Sequence, residues 1–315
     1  MSKKIICMFL IIIACFAFCS CKKQDYTVTY IDSDPASSAD CPFQRRYTEA
    51  AGTVYKSDKN KNFSDNLDNL LKKKPETVIC LNGDAKADML SASRMNGDIT
   101  FVLQDIKLNG IPSNMICVNV DCFTTSFVVG NFAGYFTGTA HVSFIAQTRN
   151  SVASRVCDGF AAGAEFASQG TCDTYFADEE EKSLEDLAKK AAEDGSDVIF
   201  VYSADGFDKV RTALADTDVK LIGVDREVDD TVICSFGADM EKIYTDLINK
   251  INDGSSGGTR LNYGLSFFDI KISDSPEVND SVRTNFEELK KDVMEGNLFI
   301  PEKKDDGNSD FSVLD

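Results

Sequence analysis

Short apolar runs alternate along this chain with longer stretches in which apolar residues recur every three or four positions. The runs at 26–31, 77–81, 99–103, 115–120, 141–146, 197–202 and 219–224 are only five or six residues long and rich in β-branched and aromatic side chains. That length and composition suit buried strands better than helices. Helical patterns fill the intervals at 63–73, 85–96, 127–137, 151–167, 182–193 and 207–215. Strand, helix, strand at this spacing predicts βαβ units and parallel sheets, an α/β fold. Seven or more such strands favour two Rossmann-like lobes. A closed eight-stranded barrel is the competing arrangement, and the later pattern counts against it. After Asp225, Arg226 and Glu227 close the last clear repeat, the chain runs through 231–236, a helical pattern at 240–251 and a Gly/Ser linker at 254–258. It then reads as extended over 261–272 and helical over 278–295, as expected of a return crossing between lobes. The expected first lobe is 26–121 plus about 231–258, and the second is 122–230 plus about 261–301. Residues 302–315 form a polar, acidic tail of a composition that does not bury itself.

The start of the sequence has a different character. Lys3 and Lys4 precede an uncharged apolar run over 5–18, and Ser20-Cys21 then opens onto Lys22, Lys23 and a polar stretch. A basic start, an apolar core and a small residue at the cut make a secretory signal over 1–20. The run is shorter than the roughly 20 residues that a spanning helix needs. A signal ending in a small residue and cysteine is the pattern of bacterial lipoproteins, so Cys21 is the expected lipidation site and 21–25 a tether. Cys15 is the alternative, because 12–15 also fits a lipoprotein cleavage box, and an ordinary secreted product remains a third reading. The expected location is extracytoplasmic, on the periplasmic or surface face of a membrane, held by lipid.

Composition narrows the chemistry. The 315 residues carry 33 basic and 51 acidic side chains, and removal of a signal over 1–20 leaves 31 against 51, a net of −20. Such a surface repels nucleic acid and anionic lipid. Membrane attachment therefore needs the lipid, not a basic patch. Of 11 cysteines, seven follow Cys21, namely Cys41, Cys80, Cys117, Cys122, Cys157, Cys172 and Cys234, and an odd set cannot all pair. Cys80, Cys117, Cys172 and Cys234 lie in or beside runs that read as strands, where thiols behave as small hydrophobes. No CxxC occurs, and His141 as the sole histidine leaves no room for His-rich zinc chemistry, while a Ser-His-Asp triad would need His141 as its base. His141 itself opens an apolar alternation and reads as an edge-of-strand residue. The acidic run 178–181 reads as a solvated helix start favoured by the helix dipole. No cofactor motif of the G-x-G-x-x-G type is present.

The order of several short segments is recognisable. FVVGNFAGY at 127–135, FIAQTR at 144–149 followed by DGFAAGA at 158–164, DGSDVI at 194–199, LIGVD at 221–225 and EGNLFIP at 295–301 together resemble the basic membrane protein family of lipoproteins. The resemblance covers roughly residues 26–302. It implies a type I periplasmic-binding-protein fold, with two lobes, crossover hinges and a ligand cleft between them, and no enzymatic activity. It further implies a receptor that takes a purine-nucleoside-like ligand and hands it to an ABC permease, as a monomer. The family's early loop places an aspartate and a stacking phenylalanine on the ligand. Carried onto this sequence it implies Asp34, with Asp32 as the alternative, Phe43 and Gln44. From the second lobe it implies Asp225 as acceptor of the ribose hydroxyls. Phe207 is the candidate for the opposite face of an aromatic clamp, and Gln147 stands on the loop where the family has two glycines. Independently of the family, a carboxylate ending an apolar strand is costly unless paired or ligand-bound, although a loop aspartate or a helix cap would serve as well. Two other functions stay open: a ligandless surface antigen or adhesin on the same fold, and a receptor for a different small solute such as a sugar.

Overall fold

The computed structural model describes residues 28–31, 55–80, 85–104, 108–168, 170–253, 257–298 and 300. Its first segment runs through β1 (Val28–Tyr30), α1 (Phe63–Leu71), β2 (Thr77–Cys80), α2 (Lys86–Met95), β3 (Thr100–Leu103) and β4 (Met115–Val120). The second holds α3 (Cys122–Phe136), β5 (His141–Ala146), α4 (Ser151–Ser168), β6 (Thr171–Phe176), the single turn α5 (Ala177–Glu180) and α6 (Leu184–Glu193). It continues with β7 (Val198–Tyr202), α7 (Phe207–Ala213), β8 (Lys220–Val224) and β9 (Val232–Ala238). The chain ends through α8 (Met240–Asn252), β10 (Thr259–Tyr263), a 3-10 turn (Leu265–Phe267), β11 (Phe268–Ile272) and α9 (Asp280–Met294).

These strands build two sheets. The first has the order β1-β2-β3-β4-β10 and the second β11-β9-β8-β7-β5-β6. Every pairing is parallel except that of β11 with β9. Parallel strands are covered on both faces and read as unbroken apolar runs. The sequences TVIC of β2, VIFVY of β7 and VICSFGA of β9 are buried at every position. Helix starts are marked by capping side chains: Asn62, Asp121, Ser183, Asp239 and Asn279 each accept a hydrogen bond from a backbone N–H in the first turn, which satisfies donors the helix itself leaves open.

The lobe boundary differs from the sequence expectation. Residues 231–258 were expected in the first lobe, yet β9 pairs with β8 through Val224↔Phe236 and with β11 through Ile270↔Phe236. A seven-residue strand buried throughout needs a neighbour on each side, and only the second sheet supplies both. The crossing therefore comes at Asp239, after β9, and not before it. The stretch 261–272 is likewise not one extended run, because β10 belongs to the first sheet and β11 to the second. Three crossings result, at Asp121, at Asp239 and at 264–267. They are tied together: the Asp121 N–H donates to the Tyr263 carbonyl at 2.9 Å and the Asp239 N–H to the Phe267 carbonyl at 2.8 Å. Asp121 and Asp239 have nearly the same backbone, with ψ of 76° and 80°, so the crossing out to the second sheet and the one that returns are built alike.

Helix α3, the first element after a crossing, buries twelve of its fifteen residues. It lies so close to α4 that a Cβ at Gly130 would stand 1.9 Å from the Phe160 carbonyl oxygen, and one at Gly163 2.0 Å from that of Phe127. No described helix is long and apolar enough to cross a membrane.

Candidate ligand site at the carboxyl ends of the second sheet

In an open α/β sheet, ligands bind outside the carboxyl ends of the strands, where loops from several strands meet. In the second lobe those loops follow β5, β7 and β8. The loop after β8 begins with Asp225, whose φ of 53° is unusual for a residue with a side chain. The Asp225 N–H donates to the Phe236 carbonyl at 3.0 Å. Its carboxylate is laid over the neighbouring strand, so that a Cβ at Gly237 would meet Asp225 Oδ1 at 2.0 Å. Glycine at 237 is what leaves room for it. Lys271 of β11 senses this corner: its ammonium is held above the ordinary value, chiefly by its hydrogen bond to the Asp269 carboxylate, with smaller contributions from Glu227 and Asp225.

Phe207, expected as a clamp face, is 1% exposed and packs in the core under Leu184, Val210 and Leu221. Its ring lies beneath Gly223, where a Cβ would stand 2.5 Å from Phe207 Cε2. Arg226 covers the ring, with the guanidinium carbon 4.7 Å from the centroid. The Arg226 backbone N–H donates to Ser235 Oγ at 2.8 Å, and its Nη2 donates to the Ala204 carbonyl. Its Nη1 stands 3.8 Å from Asp208. Thus Arg226 fastens the loop after β7 to the loop after β8. That loop is itself tightened by Ser203 Oγ, which accepts from the Gly206 N–H at 3.0 Å.

After β5, Gln147 is exposed and its carbonyl accepts from the Asp178 N–H at 3.1 Å. Arg149 donates from its backbone to the Asp178 carboxylate at 3.2 Å and from Nε to Glu179 at 2.6 Å. Its guanidinium lies 3.9 Å over the Phe176 ring. The acidic run at 178–181 is therefore more than a solvated helix start, since Asp178 and Glu179 hold the β5 to α4 loop in place.

Asp34, Phe43, Gln44 and Cys21, together with the alternatives Asp32 and Cys15, lie outside the described residues. The structure brings Gln147, Asp225 and Phe207 to the same end of one sheet, with Phe207 beneath the surface and Arg226 above it. Arg226 was passed over at the sequence level as the end of a repeat. The signal was there in the adjacency of a glycine, an acid and a base at the end of one strand, but which ring the base would cover depends on packing between β7 and β8. His141 opens β5 at the opposite end and pairs through Nε2 with Asp173 at 2.9 Å, a structural contact away from these loops. No group of three metal-ligating side chains occurs among the described residues. Burial pushes the Cys157 thiol up to about 12 and raises Cys172 and Cys234 as well, which leaves none of the three a nucleophile at neutral pH.

The sequence profile of a family described as ABC transporter substrate-binding protein PnrA-like matches residues 43–304. The chain belongs to this family, Bmp. Its members are substrate-binding proteins of ABC transporters and not enzymes. Among curated proteins, the "CD4+ T-cell-stimulating antigen" of Listeria monocytogenes and its namesake from Listeria innocua are each 26% identical over 216 residues, 60% of either chain. The match thus spans 60% of the length of these relatives. Among solved structures, an ABC transporter solute-binding protein from Conexibacter woesei superposes with a TM-score of 0.66 at 16% identity, covering 87% of this chain and 98% of that one. A solute-binding protein from Aeropyrum pernix does so at 0.67 and 13%, covering 89% and 94%. A transcriptional activator of the comK gene from Bacillus halodurans does so at 0.67 and 15%, covering 87% and 99%. At such identities the likeness establishes the fold, that of the type I periplasmic binding proteins, which Bmp shares with proteins of quite different use.

Proposed function

We propose that this chain is the receptor of an ABC importer, held to the outer face of a membrane through a lipid on Cys21, and that its two lobes close on a nucleoside-like ligand. The observation that carries the reading is Asp225. The chain places a carboxylate at the carboxyl end of β8, on a residue in the left-handed conformation, and lays it over Gly237. A carboxylate there can accept hydrogen bonds from two vicinal hydroxyls of a ribose. Asp34, Phe43 and Gln44 would meet the same ligand from the first lobe, with Phe43 stacked on the base and Gln147 at the rim. Closure needs no chemistry on the ligand. A molecule that touches both lobes favours the closed state by its differential affinity for it.

The test is calorimetry of the soluble domain with inosine, adenosine and guanosine, repeated on Asp225→Ala. Charge-assisted hydrogen bonds contribute about 1.5 to 3 kcal/mol each, so the variant should bind at least tenfold to a hundredfold more weakly. Equal affinity of variant and wild type would remove Asp225 from the site. A second reading has one observation in its favour: the curated relatives are named for recognition by T cells. On that reading the fold serves as a surface antigen with no ligand, and no nucleoside binds at millimolar concentration.

A further inference from the structure

Phe207 cannot itself present a ring to a ligand, since it is 1% exposed and Arg226 lies on it. We infer that the second-lobe face of the ligand clamp is the Arg226 guanidinium, seated on Phe207, and that Arg226 is the residue by which this chain selects a ligand with a flat aromatic base. The inference rests on the site proposed above and goes beyond it in naming the group that meets the base.

A guanidinium is planar, weakly hydrated and stacks on aromatic faces, and unstacked bases are held against arginine planes as readily as against rings. It presents a useful surface only if its plane is held, and here three contacts reach the guanidinium while a fourth holds the backbone beneath it. The Phe207 ring supports one face at 4.7 Å. The Ala204 carbonyl accepts from Nη2, Asp208 stands 3.8 Å from Nη1, and the backbone N–H is held by Ser235. Gly223 makes the seat possible, because a Cβ there would stand 2.5 Å from the ring and 2.6 Å from Arg226 Cγ. What remains open is a limited part of the side chain, 23% of it. Arg226 is the next residue after Asp225, so sugar acceptor and stacking plane leave the same strand end. A lysine could supply the charge at this place but not the plane.

Arg226→Leu and Arg226→Lys, each checked by thermal unfolding, should be titrated with inosine, adenosine and the free base hypoxanthine beside the wild type. Both variants are expected to melt near the wild type and to lose about tenfold in affinity for every ligand that carries a base. A Phe207→Leu variant, which keeps the arginine and removes its support, should lose a similar factor. If Arg226→Lys binds as the wild type does, charge and not the plane is at work and the inference is overturned. Unchanged affinity in Arg226→Leu overturns it too, and leaves the receptor reading standing. Failure of the wild type to bind any of the three overturns both.

Discussion

Asp225 holds a conformation that costs a residue with a Cβ about 1 to 2 kcal/mol, and it holds it with its carboxylate pressed over Gly237. The arrangement makes Gly237 a part of the proposed site although it contributes no side chain. In Gly237→Ala the new methyl would fall 2.0 Å from Asp225 Oδ1, and the flexible end of the aspartate would swing away while the β9 ladder stays. We expect little change in melting temperature and a loss of nucleoside affinity of about tenfold, close to that of Asp225→Ala in direction; wild-type affinity in Gly237→Ala would show that the carboxylate position is irrelevant. At this scale the sequence spoke unevenly. The place of Asp225 at a strand end was legible because the apolar run stops there. The relation between Phe207 and Arg226 was not, because they are 19 positions apart and meet only through the pairing of β7 with β8. Their contact across Gly223 is a property of the sheet, which residue type alone does not carry.

The elements were read most accurately where burial is complete. The strands at 115–120 and 141–146 fall on the same residues in sequence pattern and structure, since a parallel strand buried on both faces is an apolar run with polar ends. Strand β6 was missed: TCDTYF is exposed or half-buried over its first four residues, as suits an edge strand, and so lacks the apolar run that marks its neighbours. Helix α3 begins at Cys122 and not at 127, because Thr124, Thr125 and Phe123 look like strand formers, while Asp121 caps the helix through the Thr124 N–H at 3.0 Å. The closeness of α3 and α4 decides how this helix pair responds to change. Gly130 and Gly163 let the backbones approach until a methyl has no room, and the atoms it would meet are main-chain oxygens that cannot rotate aside. Overpacking in such a contact costs typically about 1 to 3 kcal/mol and more where backbone must shift. Gly130→Ala should therefore destabilise the protein by about 2 kcal/mol or more in denaturant unfolding, even after the roughly 1 kcal/mol gained in helix propensity. A stability within 1 kcal/mol of wild type would mean that the two helices are free to separate.

At the scale of the whole molecule, the two sheets are joined by three crossings that share hydrogen bonds, with Asp121 and Asp239 in matching conformations donating to either end of the segment between β10 and β11. A hinge built so can bend while its backbone bonds stay paired, as domain closure requires. The group we expect to bias the resting angle is a different one. Arg155 of α4, in the second lobe, stands 3.9 Å from the Asp121 carboxylate and 3.4 Å from Asn119 Oδ1 at the end of β4. Asn119 in turn donates to Asn262 of β10 at 3.3 Å. One guanidinium thus reaches from a helix of the second lobe to the strand ends of the first. Partly exposed ion pairs contribute about 1 kcal/mol at most, too little to hold the fold but enough to shift the ratio of two lobe arrangements about fivefold. Arg155→Gln should keep the melting temperature within a few degrees and increase the radius of gyration of the ligand-free protein in small-angle scattering. Asp121→Asn separates the two duties of that residue, since an asparagine can still cap α3 while losing the charge, and it should reproduce the wider scattering profile. If both variants scatter as the wild type does, the lobes are set by the apolar seam of Val118, Val120 and Tyr263 with Phe132 and Phe236, and Arg155 has no part in the angle between them.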